Sequence, residues 1–219
     1  MTNSNRVKYP RTLHMPFSRG VTSDDKMLSY DKLYELYSGK QVLITEKLDG
    51  ECTTLYKDYS HARSLDSNHH PSRDWVKRFH SEIAHNIPEG WRVCGENVFA
   101  KHSISYDNLD SYFYGFSIWD ENNNCLSTDE TEEWFQLLGI VHAPILSYCI
   151  LYGNWVDGIQ DLAEVVVENG KEGIVMRNRE SFHYNDFKHN VVKYVRENHV
   201  QTSDHWAHQT VIPNKLKDK

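Results

Sequence analysis

Four runs in this sequence read as β-strands, and each carries charge where a buried strand should have none. QVLITEKL (41–48) is apolar until Glu46 and Lys47, and an Asp49-Gly50 turn follows at once. WRVCGENVFA (91–100) holds Glu96. EGIVMRN (172–178) opens on Glu172 and contains Arg177. NVVKYVR (190–196) is interrupted by Lys193. A strand with a buried face excludes charge unless the charge is paired or functional. One such site is an ordinary strand end reaching solvent. If the four strands share a sheet, two lysines (Lys47, Lys193) and three carboxylates (Asp49, Glu96, Glu172) converge on one groove.

The rest of the chain supplies the frame. Residues 26–38 place Met27, Leu33, Tyr34 and Tyr37 at helical spacing, with Gly39 as the stop. CTTLYKD and HARSL read as strands. Residues 72–85 read as a helix with Ser72 at its N-cap and Trp75, Val76, Phe79 and Ile83 on one face. SYFYGFSIWD is another strand. Ser127 and Glu130 form a capping-box pattern before a helix that carries Trp134, Phe135 and Leu138 and stops at Gly139. A last helix spans 157–169, closed by Asn169-Gly170, and the tail from 200 to 219 is short and polar. Strands in a meander with helices inserted predict an α+β fold with largely antiparallel sheets flanked by helices, not a doubly wound parallel sheet. The 219 residues suit a single domain, with 1–25 as an N-terminal extension.

Composition narrows the class. With 39% hydrophobic and 25% charged residues the chain is of ordinary globular type, and no apolar run approaches the roughly 20 residues that span a bilayer. MTNSNRVKYPR has no apolar signal core. Cys52, Cys94, Cys125 and Cys149 form no CxxC pair and read as reduced thiols of a cytoplasmic protein. The net charge of −7 is unlike that of most nucleic-acid binders, so any such contact rests on a local patch. His69 and His70 sit in a polar loop and read as solvated.

The charged set suits phosphoryl chemistry. A lysine attacks phosphorus only when unprotonated, so burial or a nearby cation must lower its pKa. A second lysine and a divalent metal supply that field. Mg2+ or Mn2+ prefers oxygen ligands, which Asp49, Glu96 and Glu172 offer through water. Lys193, Arg177 and the metal are the candidates to neutralise an α-phosphate. Phe116 either stacks on a base or is a core aromatic.

These residues resemble a family. EKLDG is similar to the KxDG signature of the covalent lysyl-nucleotidyltransferases, which include ATP-dependent RNA and DNA ligases and capping guanylyltransferases. GENVFA, FYGFSIWD, EGIVMRN and NVVKYVR follow in the family's motif order over roughly residues 40–200. The likeness is greatest to nick-sealing RNA ligases, and among them to small stand-alone bacterial and phage proteins, as YPRTLHMPF, HARSLDSNHHPSRDW and KYVRENHVQT indicate. It implies an ATP-grasp-like ligase adenylation domain that seals RNA 3′-hydroxyl and 5′-phosphate ends in repair, with ATP as substrate and Mg2+ or Mn2+ as cofactor. Lys47 would carry AMP, Glu46 would accept from the adenine amino group, and Phe116 would stack on adenine. Asp49 and Gly50 complete the signature. Arg63 would contact the nucleotide and the nick. Glu96 would serve ribose or a metal water, Glu172 the metal, and Arg177 and Lys193 the phosphates. The catalytic set is then Lys47, Glu96, Glu172 and Lys193. Arg73, Lys77, Arg78 and Arg196 are candidates to touch nucleic acid, and an end-healing kinase-phosphatase is a candidate partner.

Three departures stand out. Cys52 occupies a position where nick-sealing relatives often carry Asn. Lys193 lacks the second lysine of a KxK pair. The stretch after Arg196 is too short for an OB-fold, which argues against a capping enzyme or a DNA ligase. A non-catalytic nucleotide- or RNA-binding module is the alternative of a different class.

Overall fold

Alternation along the strands decides the architecture. In β2 (Gln41–Lys47), β10 (Gly173–Asn178) and β12 (Val191–Val195), one set of alternate residues is apolar along most of its length, Val42 and Ile44, Ile174 and Met176, Val192 and Tyr194, and only Glu46 and Asn178 at the strand ends break it. The other set carries Lys47, Arg177 and Lys193. Each strand therefore has a core face and a polar face. A computed structural model describes residues 6–66, 68–197 and 210–218 and shows how those faces are used.

Two sheets form. The first, sheet A, has the order β1-β12-β10-β2-β9, with β1 at Leu13–His14 and β9 at Ile145–Ile150. All pairings are antiparallel except β1 with β12. The second, sheet B, is built on β3 (Glu51–Tyr56), β4 (Ser60–Ala62), β5 (Arg92–Asn97), β6 (Phe113–Trp119), β7 (Asn124–Cys125) and β11 (Phe182–His183). Its order is β11-β7-β6-β5-β3-β4, with β8 (Val141–His142) added parallel to β6. The expected antiparallel α+β fold is what the chain adopts. The strands do not follow one meander in one sheet, however. Glu96 lies on sheet B while Lys47 and Lys193 lie on sheet A, with Glu172 just before β10, so the charges meet across a gap between sheets.

Helices cover the two outer faces. α1 (Tyr30–Tyr37) and α4 (Trp155–Glu168) pack Leu33, Tyr37, Ile159 and Ala163 onto the apolar face of sheet A. α2 (Asp74–Ile83) and α3 (Thr128–Leu138) pack Val76, Ile83, Phe135 and Leu138 onto Leu55, Val93, Phe113 and Ile118 of sheet B. A third cluster, with Cys94 and Trp119 from sheet B, Val191 from sheet A and Phe187 of α5 (Phe187–Asn190), joins the inner faces.

Helix and strand ends follow local signals only in part. The capping box at Ser127 and Glu130 forms, and Gly139 ends α3 at φ 66°. α1 starts at Tyr30 rather than at 26, because Met27 bridges His14 and Ser29 is the N-cap. Ser72 is not an N-cap: it lies inside a 3-10 turn, Pro71–Arg73, whose cap is His70. The HARSL strand is short, ending at Ala62, and α4 begins at Trp155 rather than 157. β9 has a half-exposed edge pattern and was not anticipated.

The sequence predicts a short polar tail from 200 to 219. Residues 198–209 lie outside the described residues, but the stretch beyond them is docked. Asn214 is 3% exposed. Its Oδ1 accepts from Tyr106 N at 2.9 Å and its Nδ2 donates to Val98 O at 2.8 Å. Its own N donates to Phe99 O at 2.8 Å. Asn214→Ala leaves a buried donor and a buried acceptor unmet, so a loss of about 2–3 kcal/mol is expected. A thermal melt should show this as a fall of roughly 4–12 °C. A fall under about 1 °C would mean that the segment is not docked in solution.

Candidate active site

The polar face of sheet A and the inner face of sheet B enclose a cavity. Lys47, Val175, Arg177 and Lys193 line it from sheet A, and Glu96 and Phe116 from sheet B. Glu46 and Leu48 line it at the KLDG turn, and Tyr9 and Thr12 enter from the N-terminal segment.

The register explains the reactive end. Gly173 pairs opposite Lys47, which puts Glu172 beside the lysine. Lys47 Nζ donates to Glu172 Oε2 at 2.7 Å. The sequence reading requires a depressed lysine pKa, and burial alone does pull it down. The charge of Glu172, Glu96 and Asp49 outweighs burial and holds Lys47 above its ordinary value. In the free protein the lysine is therefore an ammonium. Glu96 faces it from sheet B, and burial pushes its carboxyl up to about 8.

Lys193 completes this end. Its ammonium lies 3.8 Å from Asp25 Oδ1. Burial and the charge of Lys47 lower its pKa. Burial raises Asp25, but hydrogen bonds from Thr22 and the charge of Lys193 win, holding it at about 2. Asp25 was not foreseen, since nothing local marks it among the acids of SDDK.

Asp49 sits next to this group with its side chain already engaged. Its Oδ2 accepts from Ser103 N at 2.7 Å, Ser103 Oγ at 2.7 Å and Ile104 N at 2.8 Å. Tyr106 Oη accepts from Asp49 N at 2.9 Å. The carboxylate thus fixes the 103–106 loop against the KLDG turn. Gly50 has no room for a side chain, because a Cβ there would lie 2.5 Å from Asn97 O.

Among the described residues, no three His, Cys, Asp or Glu side chains converge closely enough to hold a metal ion directly. Glu96 and Glu172 remain as buried or half-buried carboxylates facing one lysine, a donor set that suits a hard cation bound partly through water.

Away from the reactive end the walls become apolar. Val175 and Phe116 stand on opposite sheets, which fits a planar ring between them. Glu46 is 7% exposed; its Oε1 lies 3.2 Å from Lys171 Nζ as an ion pair without hydrogen-bond geometry. Arg177, assigned to phosphates on sequence grounds, pairs opposite Leu43, four residues along the strand from Lys47's partner. At about 3.3 Å per residue that is roughly 13 Å from the reactive end.

The arginines divide. Arg63 Nε and Arg196 Nε are buried without a hydrogen-bond partner among the described residues. Arg196 Nη2 donates to Ser103 Oγ at 3.2 Å, which places it by the Asp49 loop. Arg73 does not share a free ridge with Lys77 and Arg78. It is locked on Glu51, with Nε donating at 2.7 Å and Nη2 at 2.5 Å. Lys77 and Arg78 are exposed on α2. Cys52 pairs in register with Glu96, and burial pushes its thiol well up, so it is an unreactive neighbour.

Comparison with known proteins bears on the fold. The model of the RNA ligase family matches residues 40–195. No curated protein sequence matches the chain. Among solved structures, a Naegleria gruberi RNA ligase with PPi is similar at 19% identity and TM-score 0.57, covering 90% of this chain and 61% of that one. An archaeal ATP-dependent RNA ligase has 14% identity and TM-score 0.54, covering 86% and 48%. A putative ATP-dependent DNA ligase from Aquifex aeolicus has 19% identity and TM-score 0.55, covering 86% and 50%. The chain thus spans only about half to three-fifths of these structures, and the likeness is one of fold. Among the described residues no helix is long and apolar enough to cross a membrane.

Proposed function

Because the chain belongs to the RNA ligase family, we propose that it joins RNA 3′-hydroxyl and 5′-phosphate ends at the expense of ATP, through AMP carried on Lys47. One observation carries this reading. Lys47, Glu172, Glu96 and Lys193 meet at one end of a cavity whose middle is walled by Phe116 and Val175.

Lys47 Nζ, once deprotonated, attacks the α-phosphorus of ATP; a P–N bond forms and pyrophosphate leaves. The ammonium of Lys193 stabilises charge on the α-phosphate. A 5′-phosphate then displaces Lys47 from AMP, and a 3′-hydroxyl displaces AMP from that end. Glu46 accepts from the adenine amino group. Glu96 and Glu172 would hold Mg2+ or Mn2+ through water, and the bound cation supplies positive charge at the triphosphate. Arg63 and Arg196, whose buried Nε atoms have no hydrogen-bond partner among the described residues, are suited to the phosphates of the nick. Lys77 and Arg78 extend that contact, and an end-healing kinase-phosphatase would prepare the ends.

The test is label transfer. Full-length protein with Mg2+ and α-labelled ATP or GTP is run on a denaturing gel, then offered a nicked duplex with an RNA or a DNA 3′ strand. An ATP-dependent band and sealing of the RNA nick are expected. A band with GTP alone would mean guanylyl transfer, and sealing of DNA alone a DNA ligase. No band, with no adenylate in the intact mass, would overturn the reading.

A further inference from the structure

Tyr9 lies upstream of residues 40–195, which the family model matches, yet it lines the same cavity as Lys47 and Phe116. The segment that carries it crosses from one sheet to the other. On the sheet B side Arg6 stacks over Tyr59, its guanidinium carbon 3.3 Å from the ring centre. Val7 N donates to Tyr56 Oη at 2.8 Å. Tyr184 Oη donates to Lys8 O at 2.7 Å. On the other side Leu13–His14 pairs with β12 of sheet A. Tyr9 is therefore held from both ends.

Its contacts define a chemistry. The ring meets Phe116 edge-on, centroids 5.1 Å apart at 64°, and Phe187 at 5.2 Å and 82°. The hydroxyl oxygen accepts from Arg177 Nη2 at 3.4 Å. Arg177 is 7% exposed, and Nη1 donates to Cys125 Sγ at 3.4 Å, a weak acceptor. No carboxylate pairs with it among the described residues, so a buried cation and a phenol face the cavity with donors to spare. The register sets this pair at the end remote from Lys47. With phosphorus at Lys47 and a base between Phe116 and Val175, the part of the nucleotide that faces that end is the edge of the base.

We propose that Tyr9 binds the nucleobase. Its oxygen is occupied by Arg177, its O–H donates to a ring nitrogen of the base, and its ring braces Phe116 against the base face. The inference rests on the nucleotide reading above. It assigns part of the base pocket to the N-terminal segment rather than to the family motifs.

The experiment is the concentration dependence of ATP labelling in full-length Tyr9→Phe, with 1-, 3- and 7-deaza-ATP as probes. Tyr9→Phe keeps the ring contacts and removes only the donor. The ATP concentration for half-maximal labelling should rise about tenfold, with the maximal rate within about twofold. One deaza analogue should be about tenfold weaker for the parent chain and no weaker than ATP for Tyr9→Phe. An unchanged half-maximal concentration, or a variant that still discriminates the same analogue, would overturn the proposal. A parent chain that captures no nucleotide would instead defeat the ligase reading and this inference with it.

Discussion

Replacing Lys47 with alanine abolishes covalent capture of AMP: the labelled band falls to background, and intact mass shows only the bare chain. The expected effect is total because, among the described residues, no second amine is placed to substitute. Lys193 is the other lysine lining the cavity, and it sits on β12 beside Asp25, separated from β2 by β10. Lys193→Ala should slow labelling by about 10²–10³, as loss of one charge-stabilising donor does, while leaving a visible band. If Lys47→Ala still labels and Lys193→Ala does not, the nucleophile has been misassigned. The resting ion pair adds a second expectation. Lys47 is held protonated chiefly by the charge of Glu172, so attack requires that field to be offset, and a chelator should stop labelling in the parent chain.

The reactive end was legible from sequence because charge inside an apolar strand is conspicuous. Lys47, Glu96, Glu172 and Lys193 are marked in that way; Lys47, Glu96 and Lys193 line one cavity, and Glu172 is ion-paired to Lys47. What was not legible depends on partners far along the chain. That the strands divide into two sheets follows from pairings such as β2 with β10, which no local pattern encodes. Asp49 reads as a candidate metal ligand because a sequence displays its carboxylate but not the backbone N–H groups of Ser103 and Ile104 that engage its Oδ2. Arg177 reads as a phosphate contact because motif order shows that it follows Glu172, whereas strand geometry carries it down the cavity. Tyr9, Asp25 and Asn214 have ordinary surroundings in sequence. Their roles arise only when the two ends of the chain pack back on the sheets.

Gly173→Ala should be the most damaging single-methyl change in the chain. Gly173 adopts φ 156°, and a Cβ there would lie 2.0 Å from Tyr194 O and 2.9 Å from its carbonyl carbon. The obstacle is the backbone of β12, so no side-chain rotation relieves it; β10 and β12 must separate. Overlap together with the unfavourable φ should cost about 4 kcal/mol, a fall in melting temperature of roughly 8–16 °C. Gly139→Ala separates the two contributions. Gly139 has φ 66° but nothing within 4 Å of its Cβ position, so backbone strain alone should cost about 1 kcal/mol. A Gly173→Ala chain no less stable than Gly139→Ala would show that the sheet accommodates the methyl group by a shift. Even then labelling should fail, because Gly173 is the register partner of Lys47 and the neighbour of Glu172. A shift that frees room for the methyl displaces the carboxylate from the 2.7 Å contact that orients the lysine. Stability and covalent capture are thus coupled through one glycine, and a stable variant with intact labelling would disprove that coupling.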